Sequence, residues 1–186
     1  MSRETHGLIC AYRLDGKGSG ASLDWEAIQA FSDMDGFVWV HLDYKAAAAQ
    51  EWLNRNSGLD EISVAALLAE ETRPRCTIVP DGLLLSLRGV NMNPGADPED
   101  MVAIRLWTDG QRIITTRRRR LLFIPDLKTA IDAGQGPCSV SEFMVDLSAR
   151  LIERMAGVID DIDDAVDALE DKVLTAESHL LRTEIA

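Results

Sequence analysis

The feature that most constrains the fold is a long amphipathic pattern in the last quarter of the sequence. Apolar residues recur there at steps of three or four, which places one face of a helix at Phe143, Leu147, Leu151, Met155, Val158, Ile162, Val166, Leu169 and Val173. Ser139 and Glu142 form a Ser-x-x-Glu capping box, which predicts the start of this helix. A helix over 139–174 is about 54 Å long at 1.5 Å per residue. Because that length exceeds an ordinary domain, we expect it to pack against another helix or another chain.

The sequence before this helix alternates between strand and helix patterns. Strand patterns occupy 7–14, 37–42, 76–79, 83–90, 101–107 and 112–116. Helix patterns occupy 25–31, 45–54, 62–68 and 126–132, whereas the Gly- and Ser-rich stretch 15–22 predicts a loop. This order predicts an α/β fold, with an α/β/α sandwich around a mixed sheet in residues 1–137 and long acidic helices in residues 138–186.

Two details of the sheet follow from the same patterns. We expect parallel pairing where a helix connects two strands, and antiparallel pairing where a hairpin does. The residues expected to be buried are Trp39, Val40, Leu85, Leu87, Ile104, Leu106 and Ile114.

Charge is concentrated in the C-terminal part of the chain. The net charge is −12, of which residues 138–186 carry −8. Nucleic acid is therefore not expected as a partner, because binding its phosphates requires clustered positive charge. An acidic surface instead favours a metal cation or a positively charged partner.

Cysteine usage and hydropathy bear on the compartment. Cys10, Cys76 and Cys138 are far apart and odd in number, which fits a reducing compartment rather than a disulfide framework. The N-terminus has no apolar signal segment, and no run reaches the roughly 20 apolar residues that a membrane helix needs. A further helical pattern begins at Ala176 and continues to Ala186, so we expect the start of a second helix that is cut short.

The long helix offers a candidate metal site. Asp160, Asp164, Asp167 and Asp171 are spaced by four, three and four, so they share one helical face. Hard cations favour such carboxylate oxygens, and a cation sensor can use them. The other interpretation is a solvated surface opposite the apolar stripe. Either way, the clustered charge concentrates cations.

Two other constellations have competing interpretations. His41 and Asp43 are two apart on a strand, so together they offer two metal ligands or a structural pair. The run 117–120, with Arg112, is a basic patch that suits phosphate, or that pairs with acidic helices of this or a neighbouring subunit. No closed zinc site, nucleophile motif or complete phosphate loop is present, since Gly16-Lys17-Gly18 lacks the remaining Walker residues. No enzymatic activity and no cofactor are expected.

An ordered set of short motifs resembles a known family. The motifs are WVHLD at 39–43, ETRPR at 71–75, DGLLLSLR at 81–88, VAIRLW at 102–107 and RIITTR at 112–117. In this order and spacing they are similar to the cytoplasmic domain of the CorA superfamily of divalent-cation transporters. The stretch GVNMNPGADPEDM at 89–101, with the run 117–120, resembles the ZntB zinc-transporter branch.

The resemblance implies an architecture and a location. It implies an α/β/α domain, long acidic helices, a stalk leading to two membrane helices, and a pentamer around a central pore in the bacterial inner membrane. This chain would lie on the cytoplasmic side. The pore signature Gly-Met-Asn of the family is absent, and Asn91-Met92-Asn93 lies in a polar loop rather than after a membrane helix.

The resulting hypothesis is the cytoplasmic domain of a transporter for Zn²⁺, with Mg²⁺, Co²⁺ and Ni²⁺ as related ions, that supports assembly and attracts or senses cations. The alternative is a free-standing soluble module for metal sensing or oligomerisation. Two apolar segments of about 20 residues downstream of Ala186 would favour the transporter. A third hypothesis, an α/β enzyme, requires a pocket with perturbed titratable groups.

Overall fold

A seven-stranded mixed sheet forms the centre of the computed structural model, which describes residues 7–29, 36–70, 73–97 and 100–175. The strands are β1 (Leu8–Leu14), β2 (Gly20–Ser22), β3 (Phe37–Asp43), β4 (Arg75–Val79), β5 (Gly82–Gly89), β6 (Val102–Thr108) and β7 (Arg112–Arg117). Their order across the sheet is β2-β1-β3-β7-β6-β5-β4. The strand patterns of the sequence are confirmed to within two residues at each end.

Within the part of the chain that the structure describes, five helices cover the two faces of the sheet. They are α1 (Trp25–Gln29), α2 (Ala47–Arg55), α3 (Glu61–Leu68), α4 (Ile124–Asp132) and α5 (Val140–Thr175). Helices α1 to α3 pack on one face, and α4 with the start of α5 packs on the other. Strand β3 supplies both layers by simple alternation, because Trp39 faces α5 while Val38 and Val40 face α2 and α3. The predicted α/β/α sandwich is confirmed.

The predicted core is mostly buried. Trp39, Val40, Ile104, Leu106 and Ile114 are all at most 3% exposed. Leu85 and Leu87 differ, because β5 lies next to the edge strand and only partly beneath α5, so both are half-buried.

The pairing rule for helix-connected strands was wrong for β1 and β3. These strands are antiparallel, because the hairpin to β2 reverses the chain before α1 returns it to the sheet. Among the described strands, the parallel pair is β3 with β7, which are distant in sequence. The other pairs are antiparallel, as the hairpins predicted.

The predicted loop at 15–22 is a tight turn that leads into β2. The Asp15 carboxylate accepts hydrogen bonds from the backbone N–H groups of Lys17 (2.7 Å) and Ser19 (3.0 Å). Gly18 adopts φ +100°, a left-handed conformation that glycine permits. The Gly16-Lys17-Gly18 cluster therefore serves as a hairpin turn.

Candidate functional site

Helix α5 begins at the capping box that the sequence predicted. The Ser139 hydroxyl accepts a hydrogen bond from the Glu142 N–H at 3.1 Å. The Glu142 carboxylate reaches back to the N–H of Cys138 at 2.8 Å, one residue earlier than in the usual box. Two backbone N–H groups at the start of α5 thus have hydrogen-bond acceptors, and these bonds define where the helix begins.

The first third of α5 anchors the helix to the sheet. Phe143 and Leu147 are fully buried, and Leu151 is 5% exposed. Leu151 lies directly over Gly89, where an added Cβ would be 2.5 Å from its Cδ1, so a larger residue there would force the Leu151 side chain to shift. Arg154 then ties the helix to α4 through an ion pair with Asp126 at 2.5 Å.

Beyond Leu151, α5 presents an apolar seam that no described residue covers. The seam follows alternating steps of three and four through Ile152, Met155, Ile159, Ile162, Val166, Leu169 and Val173. Ile152 is 63% exposed and Ile162 is 56% exposed. This heptad spacing is typical of a coiled-coil contact, and it runs through Ile159 rather than the Val158 of the predicted stripe.

The four predicted aspartates form an acidic face on the same part of α5. Asp160, Asp164, Asp167 and Asp171 are all exposed. Residues 160 and 162 lie about 200° apart around the helix, so the acidic face is opposite the middle of the seam. Among the described residues, no three or more His, Cys, Asp or Glu side chains converge to hold a metal ion. Within one subunit this face is therefore a concentrated negative surface.

His41 lies in the core rather than at a metal site. It is fully buried, and its Nδ1 is 2.8 Å from the Thr115 hydroxyl oxygen. Burial lowers the pKa of His41 to about 3, and the positive charges of Arg117 and Lys128 act in the same direction. The side chain is therefore neutral at pH 7. Asp43 instead lies at the surface, where it accepts the N–H of Lys45 at 3.0 Å.

The basic run divides between two clefts. Arg117 and Arg120 line a cleft of about 750 Å³ beside α4, together with Asp43, Lys128 and Asp132. Arg118 and Arg119 line a second cleft of about 330 Å³, the arginine pocket. Arg119 pairs with Asp100 of the preceding loop at 2.9 Å, and not with the acidic face of α5 in the same subunit.

Sequence reasoning missed Arg105, which also lines the arginine pocket. It is only 2% exposed although it carries a full charge. A signal was present, because Arg105 interrupts the otherwise apolar run VAIRLW in a central strand. A charge at such a position requires a partner or a function.

None of the helices formed by residues 7–29, 36–70, 73–97 and 100–175 has both the length and the apolar content needed to cross a membrane.

Comparisons with known proteins place this geometry in a family. Residues 34–186 match the family described as CorA-like Mg²⁺ transporter protein. Divalent cation transporter CmaX of Pseudomonas aeruginosa is 38% identical over 168 residues, which cover 87% of this chain and 51% of the relative. Zinc transport protein ZntB of Pectobacterium carotovorum subsp. carotovorum is 33% identical over 179 residues, which cover 96% of this chain and 52% of the relative. The chain spans about half the length of these relatives.

Solved structures show the same relation. The structure of full-length CmaX aligns with a TM-score of 0.83 at 40% identity, over 96% of this chain and 57% of that one. The crystal structure of the ZntB cytoplasmic domain from Vibrio parahaemolyticus aligns with a TM-score of 0.69 at 26% identity, over 92% of this chain and 67% of that one. The resemblance carried by the sequence motifs is confirmed, and the chain belongs to the CorA family.

Proposed function

We propose that this chain is the cytoplasmic part of a divalent-cation transporter of the bacterial inner membrane. The observation that carries the proposal is the family match over residues 34–186 to relatives that are about twice as long. The exposed seam and acidic face of α5 support it, because an isolated domain gains nothing from an uncovered apolar helix.

The seam gives the domain a role in assembly. Its heptad spacing suits packing against a further helix, from the same chain or from a neighbouring subunit. In the proposed pentamer, five domains surround a central axis, and α5 carries the contacts toward the membrane. The buried residues of α5 anchor that helix to the sandwich.

The acidic face attracts the transported ion. Carboxylate oxygens suit hard cations such as Mg²⁺ better than they suit Zn²⁺, which prefers nitrogen and sulfur ligands. We infer that Asp160, Asp164, Asp167 and Asp171 raise the local concentration of divalent cations, or share one across subunits. Zn²⁺ is the proposed cargo on the likeness to ZntB, with Mg²⁺, Co²⁺ and Ni²⁺ as related ions. In this proposal the domain itself catalyses no reaction and holds no cofactor.

The test uses the complete gene product reconstituted in liposomes that contain a cation-sensitive dye. We expect uptake of Zn²⁺ or Mg²⁺ that depends on the protein. Combining Asp160→Asn and Asp164→Asn should lower uptake at low cation concentration more than at saturation, because the local concentration falls. Glu26→Gln, an exposed carboxylate on α1, is the matched control and should leave uptake unchanged.

A second outcome would favour the free-standing module. If the gene encodes no apolar segment downstream of Ala186 and the purified protein moves no ion, the transporter proposal is overturned. Saturable cation binding by the same protein would then support a metal-sensing or oligomerising module in its place.

A further inference from the structure

The arginine pocket concentrates positive charge in an acidic protein. Among the described residues, its charged lining consists of Arg88, Arg105, Arg118, Arg119, Glu70 and Asp100, four cations against two anions. The whole chain has a net charge of −12, so this local excess runs against the composition. Clustered positive charges repel one another, so such a cluster is stabilised by binding a negatively charged partner.

The sheet register places three of the arginines on one face. Arg105 on β6 pairs with Ser86 of β5 and with Thr116 of β7. Arg88 and Arg118 each follow one of those partners by two residues, so their side chains project to the same side as Arg105. The cluster therefore results from the fold and not from sequence proximity.

Arg105 has donors that nothing in the described chain uses. Its Nη2 donates to the carbonyl oxygen of Glu70 at 3.0 Å, while Nε and Nη1 are buried without an acceptor. Its guanidinium stacks over the Tyr44 ring at 4.8 Å, and the nearby Tyr44 hydroxyl makes no hydrogen bond of acceptable geometry. Burial lowers the pKa of Arg105, the neighbouring Tyr44 hydroxyl opposes that shift, and the charges of Arg88 and Arg118 add to it more weakly. The guanidinium nevertheless stays charged, as arginine does in proteins.

The other arginines of the pocket differ in how firmly they are held. Arg119 donates to the backbone oxygen of Asp100 at 2.7 Å and to its carboxylate at 2.9 Å. Arg88 and Arg118 form no ion pair or hydrogen bond with the rest of the described chain. Nε and Nη1 of Arg105 are shielded from solvent, so a ligand reaches them only after neighbouring side chains move. The side chains of Arg88 and Arg118 can move without breaking a hydrogen bond or ion pair of the described chain.

We propose that the arginine pocket binds a phosphate-type dianion, either free phosphate or the phosphate group of a small monoester. Guanidinium groups match the oxygen atoms of phosphate with paired N–H donors. A dianion balances the excess of two positive charges among the described lining residues, and a volume of about 330 Å³ accommodates a phosphate with a small substituent. A nucleic acid would need a longer basic track than this pocket offers.

The test is calorimetric titration of the intact chain with inorganic phosphate and with AMP, at constant ionic strength set by NaCl. We expect one site per chain. Arg118→Gln and Arg105→Gln should each weaken binding about tenfold or more, because each removes charge-assisted hydrogen bonds. Arg55→Gln, an exposed arginine on α2 that pairs with Glu51, is the control and should bind as the wild type does. Tighter binding of AMP than of phosphate would assign the monoester, and equal binding the free ion.

Three results would overturn the proposal. The first is the absence of saturable heat with both anions. The second is an equal loss of binding in Arg55→Gln, which would show only general charge screening. The third is a change of oligomeric state in Arg118→Gln without any anion binding, which would make the pocket a docking site for a carboxylate of another copy. Because Arg118 is exposed, its variant tests the proposal even if Arg105→Gln does not fold. The assay needs no membrane, so its failure leaves the transport proposal untouched.

Discussion

At the scale of single residues, His41 makes the stability of the domain depend on pH. In the unfolded chain a histidine titrates near pH 6.5, whereas burial holds the pKa of His41 in the folded protein at about 3. As the pH falls below about 6.5, His41 binds a proton in the unfolded state but not in the folded state. Protonation therefore stabilises the unfolded state and lowers the free energy of unfolding. The contribution is complete above pH 6.5 and declines between about pH 6.5 and 3.

We therefore predict that wild type loses about 2 kcal/mol more free energy of unfolding between pH 7 and pH 5 than His41→Gln does. Urea denaturation at a series of pH values measures both curves. The variant is expected to be less stable at pH 7, since the contact with Thr115 is altered. Its free energy of unfolding should nevertheless change less with pH than that of wild type. Parallel curves would show that His41 takes up a proton in the folded protein.

At the scale of elements, α5 divides into an anchored part and an exposed part. Leu147 is fully buried, so Leu147→Ala should cost about 2 to 5 kcal/mol of folding free energy. Ile162→Ala, on the same helix but 56% exposed, should change stability by no more than about 0.5 kcal/mol in dilute solution. Urea denaturation of the two variants compares them directly. A large loss in Ile162→Ala would mean that the seam is already covered.

The acidic face gives a second prediction for the same helix. Asp160 and Asp164 are one turn apart, and such like-charge pairs destabilise a helix by a few tenths of a kcal/mol. Millimolar Mg²⁺ should raise the thermal midpoint more than NaCl of equal ionic strength does, and Zn²⁺ should act alike. Asp160→Asn with Asp164→Asn should reduce that difference. If Mg²⁺ and NaCl raise the thermal midpoint equally in wild type and in the double variant, the acidic face is only a solvated surface.

The sequence predicted these elements unequally, for physical reasons. Helix α5 was predicted almost to the residue, because 36 residues of amphipathic pattern and a capping box are strong local signals. Strand β2 was missed because Gly20, Ala21 and Ser22 carry no apolar alternation, and their pairing depends on β1. The β1–β3 pairing was wrong for the same reason, since without β2 the direction of the chain is misjudged.

At the scale of the whole molecule, the uncovered seam governs association. We predict that this chain alone is a monomer or a weak dimer at micromolar concentration, because it spans only about half of the relatives' length. Multi-angle light scattering measures the mass, and Ile159→Glu should abolish any dimer by placing a charge in the seam. Glu26→Gln should not affect it. A stable pentamer at that concentration would contradict the prediction.

The candidate site shows where sequence reasoning stops. The four aspartates of the acidic face share a helix, so their spacing alone placed them on one side. The arginine pocket joins β5, β6 and the end of β7, whose proximity depends on register. Neither Arg88 nor Arg105 has a neighbour in sequence that reveals the other. The metal role of Asp160, Asp164, Asp167 and Asp171 stays a prediction.

The parallel contact between β3 and β7 has a consequence for how the chain folds. It joins two antiparallel units. In the first, β2-β1-β3, helix α1 carries the chain from β2 past β1 to β3, and the second is the meander β7-β6-β5-β4. Contacts between near neighbours close small loops and form early, whereas pairing Val38 with Arg112 closes a much longer one. We therefore expect the two antiparallel units to form first and the join between them to limit the folding rate. Substitutions at that join should alter the rate of folding more than those at the outer strands.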